Sequence, residues 1–247
     1  MTTRAAPIHI GTAGWSYDHW QGVFYPAHTP ANRRLAYYAQ QLRCVEINSS
    51  FYHLPDRQTL QQWYDSTPDS FRFAVKASRY ITHMKKLRDP DKTVPPLLDR
   101  LATLGSKLGP VLFQLPPHWH FNAERLEGFL AVLRPGIRYA FEFRDHSCQN
   151  EQSYDLLSRH AEAFCSYEIH VFLSPRQVTG VFIYVRLHGP DGAYQGSNDE
   201  HTLARWADSF SGWAHTGKRV YCYFDNDQCG YAVQNALRLQ AMLATGK

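Results

Sequence analysis

Five short stretches of the chain alternate apolar residues with polar or charged ones. Because a β-strand directs successive side chains to opposite faces, each stretch predicts a strand with one apolar and one polar face. Helical patterns follow most of them, which predicts βα units with helices against the apolar face. The polar face then points into an enclosed space, where charges are costly and become candidates for function. The stretches are 45–48, 73–76, 113–115, 141–144 and 185–188.

Read along its whole length, the chain predicts eight strands and mostly helical connections. The predicted strands are 8–12, 44–49, 72–76, 111–115, 139–143, 163–167, 182–187 and 220–224. The predicted helices are 32–42, 57–66, 94–104, 123–133, 154–160, 199–213 and 231–243, with Pro95 and Pro96 interpreted as first-turn prolines. At 247 residues, this order predicts an α/β fold, a single (β/α)₈ TIM barrel that forms one domain over residues 1–247.

Composition narrows the class of protein but not its activity. Hydrophobic residues make up 44% and charged residues 19%, as in ordinary globular proteins. No apolar run approaches the ~20 residues of a membrane span, residues 1–7 lack a signal-peptide pattern, and five cysteines without a C-x-x-C pair favour reduced thiols. We therefore expect a cytoplasmic protein without a membrane partner. The net charge of +4 is compatible with nucleic acid or a phosphorylated small molecule.

In such a barrel the active site lies at the C-terminal ends of the strands. Two arginines predicted there offer the fork geometry that suits a carboxylate or phosphate. Instead of binding a ligand, these arginines could equally well pair with two deeper glutamates, since buried charges persist only when paired. The predicted catalytic residues are Glu46, Glu142, His188 and Asp225, and the predicted substrate-binding residues are Trp15, Asn48, Tyr52, Lys76, Gln114, Arg144 and Arg186.

Other residues leave their roles open. The aromatic residues near the first two strand ends either stack on a sugar or base or seal the top of the barrel. Asp225 and Asp227 either bind a hard cation or act as acid/base groups, and Asp227 is alternatively the cap of the last helix. His118 and His120 have no third ligand nearby in the sequence, so no metal site is predicted. Dinucleotide, P-loop and serine-hydrolase motifs are absent, which leaves any cofactor unknown.

Several segments together resemble the domain-of-unknown-function 72 family. They are 12–17, 22–26, 45–52, 73–76, 113–117, 142–144, 184–189 and 224–227, in order along nearly the whole chain. The resemblance implies a TIM barrel and no established activity. Three positions depart from the family pattern, namely Ala13, Asp225 and a segment at 145–148 where the family usually has a tryptophan. Asp225 makes the predicted pocket more acidic than in relatives.

Two functions fit the predicted pocket. The first is an enzyme of hydrolase or isomerase type that acts on an anionic small molecule, such as a phosphorylated sugar or nucleotide fragment. Here Lys76, Arg144 and Arg186 hold the anion, while Glu142 and His188 transfer protons. The second is a non-catalytic protein that binds nucleic acid or a metabolite at a basic, aromatic rim. Charges this far inside a barrel are poorly placed to meet a polymer, so we favour the enzyme. Because the two arginines and the lysine outnumber the two deep glutamates, we also expect at least one cation to remain for a ligand. The oligomeric state is not predicted.

Overall fold

The computed structural model of the protein describes residues 5–170 and 172–245. Residues 1–4, on which part of the signal-peptide argument rests, lie outside these ranges. The described residues fall into two compact units. The first unit lies within Met1–Glu46, Ser166–Ser174 and Phe182–Lys247, and the second within Ile47–Cys165 and Pro175–Val181. No helix in the described ranges is long and apolar enough to cross a membrane.

Eight parallel strands alternate with helices, which is the (β/α)₈ TIM-barrel fold that the sequence predicts. The strand order is β1-β9-β8-β6-β5-β4-β3-β2, and Ala13, next to β1, forms a parallel bridge with Glu46 of β2. A short extra strand, β7, pairs antiparallel with β6. The strands are β1 (Ile8–Thr12), β2 (Cys44–Ile47), β3 (Arg72–Lys76), β4 (Leu108–Leu115), β5 (Tyr139–Phe143), β6 (Ala163–Ile169), β7 (Phe172–Leu173), β8 (Phe182–Leu187) and β9 (Arg219–Phe224).

Side-chain caps explain where most helices begin. The side chains of Asp56, Asn122, Asn150 and Asp199 each accept a hydrogen bond from a backbone N–H in the first turn that follows. Such caps satisfy donors that the helix itself cannot use. The α-helices are α1 (Ala31–Gln41), α2 (Arg57–Asp65), α3 (Pro90–Leu101), α4 (Ala123–Leu130), α5 (Glu151–Arg159), α6 (Glu200–His215) and α7 (Tyr231–Thr245).

Helix α3 corrects one prediction. The sequence predicts a helix over 94–104 with Pro95 and Pro96 in its first turn, but α3 begins at Pro90 and contains both prolines in its interior. Pro90 already occupies the first position, where a fixed φ and a missing N–H cost little. Two interior hydrogen bonds are lost at Pro95 and Pro96. Burial of the apolar face of α3 offsets this loss, through Val94, Leu97, Leu98 and Leu101.

The strands that carry the predicted site are covered on both faces. In β8 all six residues are buried, and Tyr184 and Arg186 alternate with Val185 and Leu187. The period of two therefore places a tyrosine and an arginine on the same face of the strand. His188 directly follows β8 at the next position of that face and is also buried. The fold thus takes polar groups out of water, as the alternation predicts.

Candidate functional site

In the first unit, Glu46 of β2 is fully buried and is bound by two side chains of β8. The Tyr184 hydroxyl donates to Glu46 Oε2 at 2.6 Å. Arg186 donates to Glu46 Oε1 from Nε at 3.1 Å and from Nη2 at 2.9 Å. Charge-assisted hydrogen bonds of this kind are what allow a carboxylate to remain charged inside a protein. Of the two alternatives for Arg186, this geometry favours pairing with a buried glutamate.

Arg186 also holds a second carboxylate. Its Nη2 donates to Asp225 Oδ2 at 2.8 Å, and His188 Nδ1 lies 3.1 Å from the same oxygen. Arg186 Nη1 lies 3.4 Å from His188 Nε2. A guanidinium can only donate, so Nε2 accepts and a neutral His188 carries its proton on Nδ1, beside Asp225. We call Glu46, Tyr184, Arg186, His188 and Asp225 the Arg186 cluster.

Within the Arg186 cluster, only Asp225 combines a tight ionic contact with access to solvent. Its side chain is 14% exposed, whereas those of Glu46, Arg186 and His188 are exposed by at most 1%. Asp225 directly follows β9, and its backbone N–H donates to the carbonyl of Leu187 at the end of β8. The strand ends therefore fix its backbone while its carboxylate remains accessible. Asp225 is therefore the carboxylate of this group that solvent reaches.

Asp227, two residues further on, is bound to the loop after β1. Trp20 Nε1 donates to Asp227 Oδ1 at 2.7 Å, and His19 Nε2 lies 2.9 Å from Oδ2. The pKa of Asp227 is raised to about 6: burial and the charge of Asp225 raise it, whereas the hydrogen bonds and charge of Trp20 and His19 lower it. The side chain makes no helix-capping hydrogen bond. The geometry therefore does not bear out the capping alternative for Asp227, whose carboxylate binds Trp20 and His19 instead.

Tyr17 belongs to the same region. Its hydroxyl donates to the carbonyl of Ala13 at 2.5 Å. Burial raises the pKa of Tyr17 far above its ordinary value, and the carboxylates of Asp225, Asp227 and Glu46 raise it further. A Cβ at Gly14 would lie 2.5 Å from the Tyr17 hydroxyl, and Gly14 also has a φ of +106°. This turn thus requires glycine, and it fixes a neutral phenol near the carboxylates.

Trp15, predicted to bind substrate, is buried, and its carbonyl accepts a hydrogen bond from the Tyr25 hydroxyl. Tyr25 in turn packs against the fully buried Trp20 at a ring-centroid distance of 5.8 Å. These contacts are those of a packed aromatic layer. For Trp15 they favour the sealing role over a stacking platform. Its substrate-binding role stays a prediction.

In the second unit, Glu142 of β5 is fully buried, and its Oε1 accepts a hydrogen bond from Arg144 Nε. Cys165 Sγ lies 3.8 Å from Glu142 Oε2. Gln114 is aligned with Glu142 in the pairing of β4 with β5. The side chain of Arg144 is partly exposed, so this ion pair has a buried acidic end and an accessible basic end. The second arginine is thus also paired with a deep glutamate.

The ends of β2 and β3 bring the remaining candidates of the second unit together. The Ser50 hydroxyl donates to the carbonyls of Ile47 and Lys76, at 2.8 Å and 2.7 Å. Lys76 Nζ lies 4.6 Å from the centroid of the Phe51 ring. Asn48 Oδ1 is buried and has no hydrogen-bond partner among the residues that the structure describes. Tyr52, by contrast, is 66% exposed. The substrate-binding roles of these residues stay predictions.

The histidine pair of the second unit is His118 and His120. His120 Nδ1 lies 3.5 Å from Asp145 Oδ2, and the His120 side chain is largely exposed. Over residues 5–170 and 172–245, no group of three or more His, Cys, Asp or Glu side chains is arranged to hold a metal ion.

Comparison with known proteins identifies the family. The sequence profile described as "Protein of unknown function DUF72" matches residues 9–247, which is nearly the whole chain. The chain belongs to the DUF72 family. A solved DUF72 family protein from Thermotoga maritima is 27% identical, has a TM-score of 0.80, and aligns over 96% of this chain and 99% of its own. The resemblance and the fold that the sequence predicts are both confirmed.

Two curated relatives of the DUF72 chain carry names without an activity. UPF0759 protein YunF of Bacillus subtilis is 26% identical over 277 residues, which cover 96% of this chain and 94% of YunF. UPF0759 protein YecE of Escherichia coli is 32% identical over 123 residues, which cover 46% of this chain and 43% of YecE. That match therefore spans less than half of YecE. The substrate and reaction must be argued from the site itself.

Some residues of this site were missed or underrated in the sequence. Tyr184 lies two positions before Arg186, so the same alternation that found Arg186 could have found its phenol. The sequence places Tyr17 only in an aromatic rim and assigns no role to His19. Both lie in the loop after β1, where no periodicity indicates which way a side chain points. Only the folded chain brings them to Asp227 and Asp225.

Proposed function

We propose that this protein is an enzyme of hydrolase or isomerase type, in which Asp225 transfers a proton to or from a small molecule. The observation that carries the proposal is the environment of the Asp225 carboxylate. It is held by Arg186 at 2.8 Å, lies beside His188 at 3.1 Å, and remains partly exposed at the end of β9. A general base needs this combination of fixed geometry and access to substrate.

The neighbours of Asp225 have different roles in the proposed proton transfer. Arg186 stabilises the negative charge of Asp225 and so keeps it able to accept a proton. His188 and Glu46 are positioning residues, because both are fully buried and act through Arg186 or Asp225. Asp227, with a pKa of about 6, keeps a protonated fraction near neutral pH and can supply a proton. Two carboxyl groups in contrasting environments are a common source of paired acid and base.

The charge of the Arg186 cluster bears on the substrate. Its single guanidinium contacts two carboxylates, Glu46 and Asp225. The cluster therefore favours a polar substrate that has a hydroxyl or amine proton to give. An anionic substrate, such as a phosphorylated sugar or nucleotide fragment, stays a prediction, and it rests on cations of the second unit. An excess of cations does not support an anionic substrate, because the three predicted cations are matched by three carboxylates once Asp225 is counted with Glu46 and Glu142.

Turnover of small substrates tests the proposal. The purified protein is incubated with p-nitrophenyl phosphate, p-nitrophenyl glycosides and p-nitrophenyl acetate, and with sugar phosphates that isomerise between aldose and ketose forms. We expect turnover of at least one class, with modest sensitivity to salt. Failure on the whole panel, together with binding of single-stranded DNA that weakens steeply as NaCl rises, would instead support the non-catalytic nucleic-acid reading.

A further inference from the structure

In the first unit, both oxygens of the Asp227 carboxylate are engaged by the loop after β1. Trp20 Nε1 donates to Oδ1 at 2.7 Å, and His19 Nε2 lies 2.9 Å from Oδ2. The Asp227 side chain is 18% exposed, whereas that of His19 is 47% exposed. The carboxylate is therefore turned towards its two partners, and a molecule in solution reaches the His19 ring more readily than it reaches Asp227.

The contacts of His19 decide which ring nitrogen carries the hydrogen. Nε2 lies 2.9 Å from the backbone carbonyl oxygen of Asp227 as well as 2.9 Å from Oδ2. A carbonyl and an ionised carboxylate only accept hydrogen bonds, so beside an ionised Asp227 the neutral ring is protonated on Nε2. The lone pair is then on Nδ1, which has no hydrogen-bond or ion-pair partner among the described residues. Asp227 thus fixes both the orientation and the tautomer of His19.

His19 lies beside the groups of the proposed site. Its ring centroid is 5.5 Å from that of Tyr17. Burial raises the pKa of Tyr17, and the charges of Asp225 and Asp227 raise it further, so the phenol is close to both carboxylates. Asp225 and Asp227 are themselves separated by a single residue. The ring of His19 therefore belongs to the accessible edge of this site, where Asp225 is also reached by solvent.

We propose that His19 is a further catalytic residue of this site, and that its Nδ1 transfers a proton between the substrate and the His19–Asp227 pair. In the acid direction the Nδ1–H bond breaks, its proton goes to a basic atom of the substrate, and its electron pair stays on Nδ1. Where Asp227 held the extra proton, that proton moves from Oδ2 to Nε2 in the same step. In both cases the pair ends with an ionised Asp227 and a hydrogen on Nε2.

This inference rests on the proposed function and deepens it, because it names the group through which the proton of Asp227 reaches the substrate. A purely structural link between the loop after β1 and the end of β9 is the competing interpretation. The two differ in what glutamine does at position 19. Its amide N–H can replace the Nε2–H of His19 and keep the bond to Asp227, but glutamine has no ring nitrogen with which to exchange a proton.

Chemical modification tests the Nδ1 lone pair without a substrate. The protein is treated with diethyl pyrocarbonate at neutral pH, and the reaction of each histidine is followed by mass spectrometry in the wild type and in Asp227→Asn. An ionised partner stabilises the positive charge that forms on the ring as Nδ1 attacks the reagent, so we expect Asp227→Asn to slow the reaction at His19 by about tenfold. His201, exposed on α6, is the internal control and should react equally in both proteins. Equal rates at His19 would overturn the proposal.

Kinetics of His19→Gln separate the catalytic role from the structural one, on a substrate that the wild type turns over. We expect kcat to fall by about 10²-fold while Tm stays close to that of the wild type. His201→Gln should alter neither quantity. An unchanged kcat in His19→Gln, beside a defective Asp225→Asn, would sink this inference and leave the proposed function standing. An unchanged kcat in Asp225→Asn, beside a defective His19→Gln, would instead contradict the proposed role of Asp225 and support that of His19.

Discussion

At the scale of single residues, Arg186 is the cation that neutralises the buried carboxylates of the first unit. The sequence predicts that the cations exceed the deep glutamates, so that at least one cation remains for a ligand. In the structure, Arg186 contacts both Glu46 and Asp225. Asp225 is thus a second carboxylate on the same guanidinium, and Arg186 links the deep acid to the accessible one. The small loss of stability that we would expect of an arginine reserved for a ligand no longer applies.

Arg186→Ala should therefore destabilise the protein strongly. Removal of the guanidinium leaves Glu46 buried without its cation, which costs about 3–5 kcal/mol. In a protein of this size, that corresponds to a fall in Tm on the order of 10 °C. Thermal melts followed by circular dichroism measure the change, with Arg205→Ala on the exposed face of α6 as the control. Recovery of Tm in Arg186→Ala/Glu46→Gln would confirm the cause, and a fall of only 1–2 °C in Arg186→Ala would refute it.

Asp227 should make stability depend on pH in a defined direction. Its pKa is about 6 in the folded state against about 3.9 in an unfolded chain, so the folded state holds more protons between these values. The contribution of Asp227 to the free energy of unfolding therefore falls as pH rises from about 4 to 6. Asp227→Asn removes this penalty. The Tm of the variant minus that of the wild type should rise by about 5–9 °C between pH 4 and pH 7, and a flat difference would contradict the raised pKa.

At the scale of elements, strands were easier to predict than helix ends. The bounds of β1, β3, β5 and β8 match the predicted strands, because alternation is strict there. β4 begins three residues earlier than predicted, at Leu108, since glycine and proline usually indicate the end of a strand. Position 109 favours glycine, because the Cβ of any other residue would lie 3.0 Å from the Phe73 carbonyl oxygen. That close approach depends on a neighbouring strand, which the local sequence does not show.

A glycine of β1 offers a test of close packing between backbones. A Cβ at Gly11 would lie 2.2 Å from the carbonyl oxygen of Cys44, at the start of β2. Gly11→Ala should cost about 1–3 kcal/mol or more, because backbone cannot move aside as a flexible side chain does. Gly128→Ala in α4 is the matched control, since nothing lies within 4 Å of its added Cβ. Chemical denaturation should show that Gly128→Ala leaves the free energy of unfolding unchanged or raises it by about 0.5–1 kcal/mol. Equal effects of Gly11→Ala and Gly128→Ala would be inconsistent with this packing.

At the scale of the whole molecule, the order of strands and helices could be read from periodicity, but the partners of each polar side chain could not. Alternation correctly indicated that Glu46, Glu142 and Arg186 are taken out of water. It could not show that Arg186 contacts Glu46, which is 140 residues away, because that contact depends on the order of strands in the sheet. Loop residues such as His19 carry no periodic signal at all.

The central claim is that Asp225 transfers a proton in an enzyme-catalysed reaction. The most direct measurement is kcat for Asp225→Asn, on a substrate that the wild type turns over, beside Asp208→Asn on the exposed face of α6. Asparagine keeps the shape of Asp225 but cannot accept the proton. We expect kcat to fall by about 10²–10⁴-fold in Asp225→Asn and to stay unchanged in Asp208→Asn, with both variants folded. An Asp225→Asn protein that retains the kcat of the wild type would contradict the account.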